Sequence, residues 1–258
     1  MLNPGTQYAT DRKLHLRQRL WDYATPPFDL VGWVLDLLDV QRGAAVLDVG
    51  CGNGRYLGPI RERGAFVVGC DRSRGMLQSA GEALVVAADV TSLPFAPETF
   101  DRLLAAHMLY HVEDRPAAVR ELRRVLVGGG TCVVVTNGAV HAESIWSLVE
   151  QAVRRRKPGW NLSDAPIRGA FSLENGADQL RLAFDEVQVV RPFRPSKVVV
   201  RDPEVVTDYV GSLGDLYERE LSGPWDDVVD DVRSAVRNII ESEGAFTATS
   251  GAGAFVCR

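Results

Sequence analysis

The chain has few of the residues that announce metal or redox chemistry: four cysteines and four histidines in 258 residues. Cys51, Cys70, Cys132 and Cys257 stand far apart, and no C-x-x-C pair occurs. That excludes the common zinc-site spacings, a thioredoxin-like motif and a dense disulfide framework. The four read as reduced structural thiols, three of them in or at the end of apolar runs where a thiol packs as a small hydrophobe. Long hydrophobic runs are missing as well. None approaches the ~18 residues of a membrane span, and Met1-Leu2-Asn3-Pro4-Gly5 is no secretory leader. The expectation is a cytoplasmic protein with no membrane partner. Positive charge is also short, with a net charge of −5. No basic footprint invites nucleic acid, and the excess of arginine over lysine reads as compositional bias.

What is present is a core-forming composition, 46% apolar, and one stretch that organises it: Val46-Leu47-Asp48-Val49-Gly50-Cys51-Gly52-Asn53-Gly54-Arg55. An apolar run carrying one carboxylate opens into three glycines at alternate positions, and a helical pattern follows from about Tyr56. Between a strand and a helix N-terminus, glycines let a ligand approach bare backbone. The spacing is not that of a dinucleotide fingerprint, whose third glycine would stand at Arg55, nor of a P-loop, which requires Gly-Lys-Ser/Thr. Asp48 just ahead of the glycines is ill placed beside a pyrophosphate and well placed beside a cation. A glycine-rich turn without a ligand is the alternative.

With its acidic residue, the whole run resembles the first motif of class I S-adenosylmethionine-dependent methyltransferases, of the ubiquinone/menaquinone-biosynthesis type and its natural-product relatives. The resemblance extends through Asp71, through Asp89 followed by Leu93-Pro94-Phe95, and through Glu121-Leu122-Arg123-Arg124-Val125-Leu126 with Gly128-Gly129-Gly130. Val127-Gly128 stand where the family usually has a basic residue and a proline. The implied fold is α/β, a Rossmann-like seven-stranded doubly wound sheet. Its strand seven is antiparallel, helices precede it, and a helical insertion lies between strands six and seven. The divisions expected are an N-terminal helical cover over 1–40, a cofactor-binding core over 41–137, and a remainder over 138–258 with substrate-side helices and a lid insertion.

Hydrophobic patterning fits that plan. Helices are predicted over Asp11–Ala24 and, capped by Asp29, over Leu30–Leu38. β-α alternation follows, with strands at Ala45–Val49, Ala65–Cys70, Leu84–Ala88, Asp101–Ala105 and Thr131–Thr136. Beyond them lie a helix over Ala142–Arg156, whose terminal arginines read as a solvated dipole cap, and a polar loop with an exposed-looking Trp160. A helix is predicted over Phe171–Ala183 and strand six at Val187–Val190. A candidate strand at Lys197–Val200, helices at Pro203–Leu213 and Trp225–Glu243, and β-like segments at Ala245–Thr249 and Ala252–Cys257 close the chain. Trp160, Phe171, Tyr209, Tyr217 and Trp225 are either core or an aromatic substrate pocket.

The resemblance implies S-adenosyl-L-methionine as cofactor, S-adenosyl-L-homocysteine as product, and a small-molecule methyl acceptor. Cofactor-binding candidates are Asp48, Gly50, Cys51, Gly52, Asn53, Gly54, Asp71, Arg72, Met76, Asp89, Val90, Ala106, His107 and His111, with Arg17 or Tyr8 for the methionine carboxylate. Asp71 lies about twenty residues past the loop, where a carboxylate grips ribose hydroxyls. Helix capping is its other reading. His107 and His111 are candidate general bases, candidate walls of the cofactor site, or a metal pair lacking further ligands. Methylation of RNA or protein, and a non-methylating protein of the same fold, are the competing functions. Oligomeric state has no signature here.

Overall fold

The computed structural model describes residues 11–81, 83–164, 169–192, 196–217 and 223–258. At the N-terminal end α1 (Arg12–Arg19) runs into a 3-10 turn, Leu20–Tyr23, and a two-residue strand β1 (Ala24–Thr25). The helix predicted through Ala24 is therefore shorter. The residue before a proline is pushed towards extended backbone, and that extension lets Ala24 and Thr25 pair with Val198 and Lys197. α2 (Leu30–Leu38) begins where its cap requires, Asp29 accepting from Gly32 N at 2.9 Å.

The alternating part follows as β2 (Ala45–Val49), α3 (Leu57–Glu62), β3 (Phe66–Asp71), α4 (Arg74–Gln78), β4 (Val85–Ala87), β5 (Phe100–Ala106), α5 (Arg115–Val125) and β6 (Leu126–Asn137). After α6 (Glu143–Arg154), α7 (Gly176–Leu180) and β7 (Val187–Val190) come β8 (Lys197–Val200), α8 (Pro203–Gly211), α9 (Gly214–Tyr217) and α10 (Trp225–Glu243). The chain ends in β9 (Phe246–Thr249) and β10 (Ala252–Cys257). The seven-stranded sheet has the order β4-β3-β2-β5-β6-β10-β7. The first five strands are parallel, and β10 runs antiparallel to both neighbours, inside the outermost β7. This is the doubly wound sheet the motif implied.

Period-two alternation sorts the strand residues onto two faces. Val46, Val67, Leu104, Val133 and Val135 pack under α2 and α3 with Val34, Leu35, Leu38 and Ile60. Leu47, Val68, Leu103 and Val134 pack on the other face with Val119 and Leu122 of α5. A third core lies outside the sheet, gathered from α6, α8, α10 and the small antiparallel sheet β1-β8-β9. The insertion between β7 and β10 is thus not helical alone. It contributes two strands to a sheet that the N-terminal segment completes.

Further expectations change or are resolved. Trp160 is 4% exposed rather than at the surface: Arg154 Nε holds its carbonyl at 2.8 Å and turns the indole into the third core. The helix predicted from Phe171 shrinks to Gly176–Leu180, because the Asn175 side chain accepts from Ser172 N at 2.8 Å and competes with helical backbone there. The five aromatics form no single pocket. Trp160, Tyr209, Tyr217 and Trp225 belong to the third core, with Tyr217 stacked on Trp225 at 5.6 Å, while Phe171 meets Phe255 edge-on beneath the large sheet. The arginines ending α6 are also paired rather than simply solvated, Arg155 and Arg156 with Asp231 of α10.

Candidate active site

The carboxyl ends of the parallel strands are where an open α/β sheet leaves a crevice, and the loop after β2 crosses it with almost no side chains. Gly50 N and Cys51 N both donate to Cys70 O, at 2.7 and 3.0 Å, which ties the loop to the end of β3. Gly50 has φ +70° and Gly52 +55°. A Cβ on Gly50 would stand 2.7 Å from Met108 Cβ, and one on Gly52 would stand 3.3 Å from Met76 Cε and 3.5 Å from Leu14 Cδ2. Bare backbone is therefore roofed by Met108, Met76 and α1. Asn53 and Arg55 continue into a cleft of about 500 Å³ shared with His15, Leu16, Gln18, Arg19 and Asp22. Gly54 lies against Ala80, and its N–H bonds Cys51 O at 2.9 Å.

Two carboxylates form the floor. Asp48 is 1% exposed, and its Oδ2 has no hydrogen-bond partner among the described residues. Burial, with the charge of Asp71 added, pushes its pKa up to about 8. Asp71 accepts from Gly52 N at 2.9 Å through Oδ2 and from Ser73 N at 2.8 Å through Oδ1. Burial raises its pKa, and those two N–H bonds restrain the rise. The capping alternative for Asp71 passes to Ser73, whose hydroxyl accepts from Met76 N at 3.3 Å to start α4. Each Asp71 oxygen keeps acceptor capacity beyond its backbone bond. Cys51 packs against Gly69, and burial drives its thiol far above the ordinary range, which excludes a nucleophilic thiolate.

Asp89 lies exposed beyond β4, its Oδ1 held by Thr91 N and Oγ1 at 2.9 and 2.7 Å, its Oδ2 3.9 Å from Arg72 Nε. The Thr91 N–H is the main reason its pKa is lowered. Val90 is buried in the sheet core, as is Met76 under the loop. Ala106 ends β5 opposite Val135. His107 then turns with φ +55°, its N–H bonded to Val135 O at 2.9 Å. His111 closes a 3-10 turn, Leu109–His111, edge-on to Tyr110 at 4.5 Å. The two histidines do not share a helical face, and no group of three or more metal-ligating side chains occurs among the described residues. Burial pushes His107 down to about 4, helped by Arg55, and His111 down to about 3, helped by Arg17 and His107. Arg17 therefore belongs to this wall. Tyr8 lies outside the described residues.

Other neighbours escaped the sequence reading. α1 places Leu14 over Gly52, Arg17 within electrostatic reach of His111, and, on the turn that follows, Trp21 at 4.4 Å from the ring of His141. One element thus runs from the glycine loop to the end of β6. Asn137, the last residue of β6, has a sealed side-chain oxygen with no hydrogen-bond partner among the described residues. The amphipathic pattern of α1 was readable; which of its residues face the sheet ends depends on packing across the whole chain.

Residues 47–134 match the methyltransferase domain family. Methyltransferase GfsG of Streptomyces halstedii is 37% identical over 207 residues, covering 75% of this chain and 72% of that protein. Demethylmenaquinone methyltransferase of Corynebacterium glutamicum is 34% identical over 127 residues, covering 45% of this chain and 55% of that protein. The match thus spans only about half the length of that relative. Among solved structures, a protein of Anabaena variabilis assigned as a methyltransferase of an antibiotic biosynthesis pathway superposes with a TM-score of 0.64 at 16% identity, covering 89% of this chain and 96% of that one. At that identity the likeness speaks for the fold.

Proposed function

Because the chain belongs to the class I S-adenosylmethionine-dependent methyltransferase family, we propose that it transfers a methyl group from S-adenosylmethionine to a nucleophilic atom of a small molecule, a specialised metabolite. The observation that carries the reading is Asp48. A carboxylate oxygen sealed from water with no partner among the described residues is costly, and here the strand that carries it runs straight into Gly50 and Gly52, backbone that bears no side chain of its own. A ligand that is cationic and needs close backbone approach answers both features.

When bound, the cofactor supplies an electrophilic methyl carbon on a positively charged sulfur, with a neutral leaving group. Gly50 and Gly52 would give it a wall of main chain. Asp48 would supply negative charge, and the spare acceptor capacity of Asp71 would take ribose hydroxyls. Asp89, exposed beyond β4, would face the adenine, as the family motif implies. The acceptor's nucleophile would meet the methyl carbon beyond β5 and β6, where His107 and His111 stand. With pKa values near 4 and 3 these imidazoles are neutral at physiological pH and weak as bases. They wall and orient, and alignment with exclusion of water supplies the acceleration.

Titration calorimetry with S-adenosylhomocysteine tests the reading. Binding is expected, and Asp48→Asn should weaken the sulfonium cofactor more than its neutral-sulfur product. No measurable affinity for either nucleoside would overturn it.

A further inference from the structure

The side-chain oxygen of Asn137 has no hydrogen-bond partner among the described residues, and no cofactor role proposed above uses it. Its neighbour Thr136 spends its hydroxyl on Phe171 O at 3.1 Å. Alternation along β6 places Asn137 on the opposite face, the one that Val133 and Val135 share with α2. That face leads up to the N-terminal cover. On one side β5 ends at Ala106 and His107, whose N–H bonds Val135 O at 2.9 Å; on the other, Ala252 pairs with Asn137 itself. Beyond it the chain turns through Gly138 to His141, fixed by Gly138 N to Gly251 O at 2.8 Å and by Gly251 N to His141 Nδ1 at 3.2 Å. Trp21 covers His141 from above. In this enclosure the Asn137 side-chain oxygen is shut from water and has no donor among the described residues. Buried carbonyl oxygens are rarely left so.

We propose that Asn137 is the docking point of the methyl acceptor, accepting a hydrogen bond from a hydroxyl group of a neutral, hydroxyl-bearing small molecule. An amide oxygen needs a donor, which narrows the ligand group to O–H or N–H. His107, whose N–H bonds Val135 O on Asn137's own strand, has Arg55 within electrostatic reach, which disfavours a charged ammonium beside it. A neutral hydroxyl escapes that objection. Asn137 takes no proton and acts by positioning. The inference rests on the methyltransferase reading and narrows its acceptor.

The test uses the full chain saturated with S-adenosylhomocysteine, labelled with 15N-asparagine and titrated with phenol and with anisole, the same ring without a donor. Phenol should bind about tenfold tighter, the ratio one net hydrogen bond provides, and should shift the Asn137 side-chain amide signals. In Asn137→Ala the preference should shrink to within about twofold, with unchanged homocysteine-nucleoside affinity and an unchanged or higher Tm. Equal affinity of the wild-type protein for the two probes overturns the inference. So does a preference that survives in Asn137→Ala, or a lowered Tm in that variant, which would mean the amide bonds the protein itself. Intact nucleoside binding without the phenol preference strikes this inference alone, whereas absent nucleoside binding removes the methyltransferase reading beneath it.

Discussion

The floor and the wall of the cleft are both made of titratable groups forced towards neutrality by burial, yet they respond to opposite needs. On the floor, burial raises both Asp48 and Asp71, and the charge of Asp71 adds to the cost of charging Asp48. On the wall, burial keeps His107 and His111 unprotonated, and the nearby charges of Arg55 and Arg17 add to that effect. Asp48 and Asp71 form no ion pair among the described residues, so a cationic ligand would gain most there. The wall already holds its positive charge, so a neutral or electron-rich partner suits it. Under the proposed function this contrast would orient the reaction, with the cation at the carboxylates and the nucleophile at the histidines.

The largest disruption should come from filling the bare backbone. Gly50→Val places a branched side chain where even a Cβ stands 2.7 Å from Met108 and where φ is +70°. Strain in that region costs ~1–3 kcal/mol before any steric conflict with a ligand. Affinity for S-adenosylhomocysteine should fall roughly a hundredfold or more, which is about 3 kcal/mol, measured by calorimetry. Gly52→Ala should do less, since its nearest neighbour, the Met76 methyl, can give way.

Next comes the floor's charge. A raised carboxyl pKa means that the folded state holds a proton the unfolded chain has lost. Asp48 therefore subtracts stability as pH rises from its ordinary 3.8 towards about 8 and subtracts nothing below that window. Asp48→Asn should flatten this slope and raise the cofactor-free Tm at neutral pH by several degrees, at ~2–4 °C per kcal/mol for a chain of this size. Cofactor affinity should drop about tenfold or more, since a charge-assisted contact is lost. Uptake of the cofactor by the wild-type protein should release protons near neutral pH, seen as a binding heat that varies with buffer ionisation enthalpy. Buffer-independent heats would remove Asp48 from the charge balance.

How much of this could be read from residues alone divides along the same line. Floor chemistry is local in sequence: Asp48, the glycines and Asp71 sit at the ends of two successive strands, and β-α alternation alone brings those ends together. The sheet order followed for the same reason. The wall is assembled by long-range packing. Nothing near Leu14 or Trp21 in the chain records that they meet Gly52 and His141, because α1 is held there by α8 and α9, pairing Arg19 with Asp208 and Lys13 with Asp215. Trp160 misled in the same way. Its polar neighbours suggested a surface loop, and one guanidinium holding its carbonyl reversed that.

The wall's pH behaviour runs opposite to the floor's. A histidine with a lowered pKa is neutral when folded, while the unfolded chain binds a proton below 6.5. Stability is therefore intact above 6.5 and lost as pH falls towards about 4. Methyl transfer should accordingly lack an acid limb at the ordinary histidine value. Replacing His111 by alanine should slow turnover less than tenfold, against the hundredfold or more that loss of a general base gives. A limb centred near 6.5 that vanishes in His111→Ala would make it a base after all.

The smallest expected effect tests whether floor and wall are joined by the helix above them. α1 touches the glycine loop through Leu14 and is fastened to α8 and α9 by two half-exposed ion pairs. Such pairs contribute ~0.2–1 kcal/mol each. The double change Asp208→Asn with Asp215→Asn should therefore lower Tm by only about 2–4 °C. If the helix presses the cofactor into its cradle, the same variant should bind S-adenosylhomocysteine about three- to fivefold more weakly, because the ion-pair energy is spent holding the closed position. Raising salt should reproduce the loss in the wild-type protein and leave the variant unmoved, since exposed charges are screened. A lower Tm with unchanged affinity would instead confine α1 to covering α8 and α9.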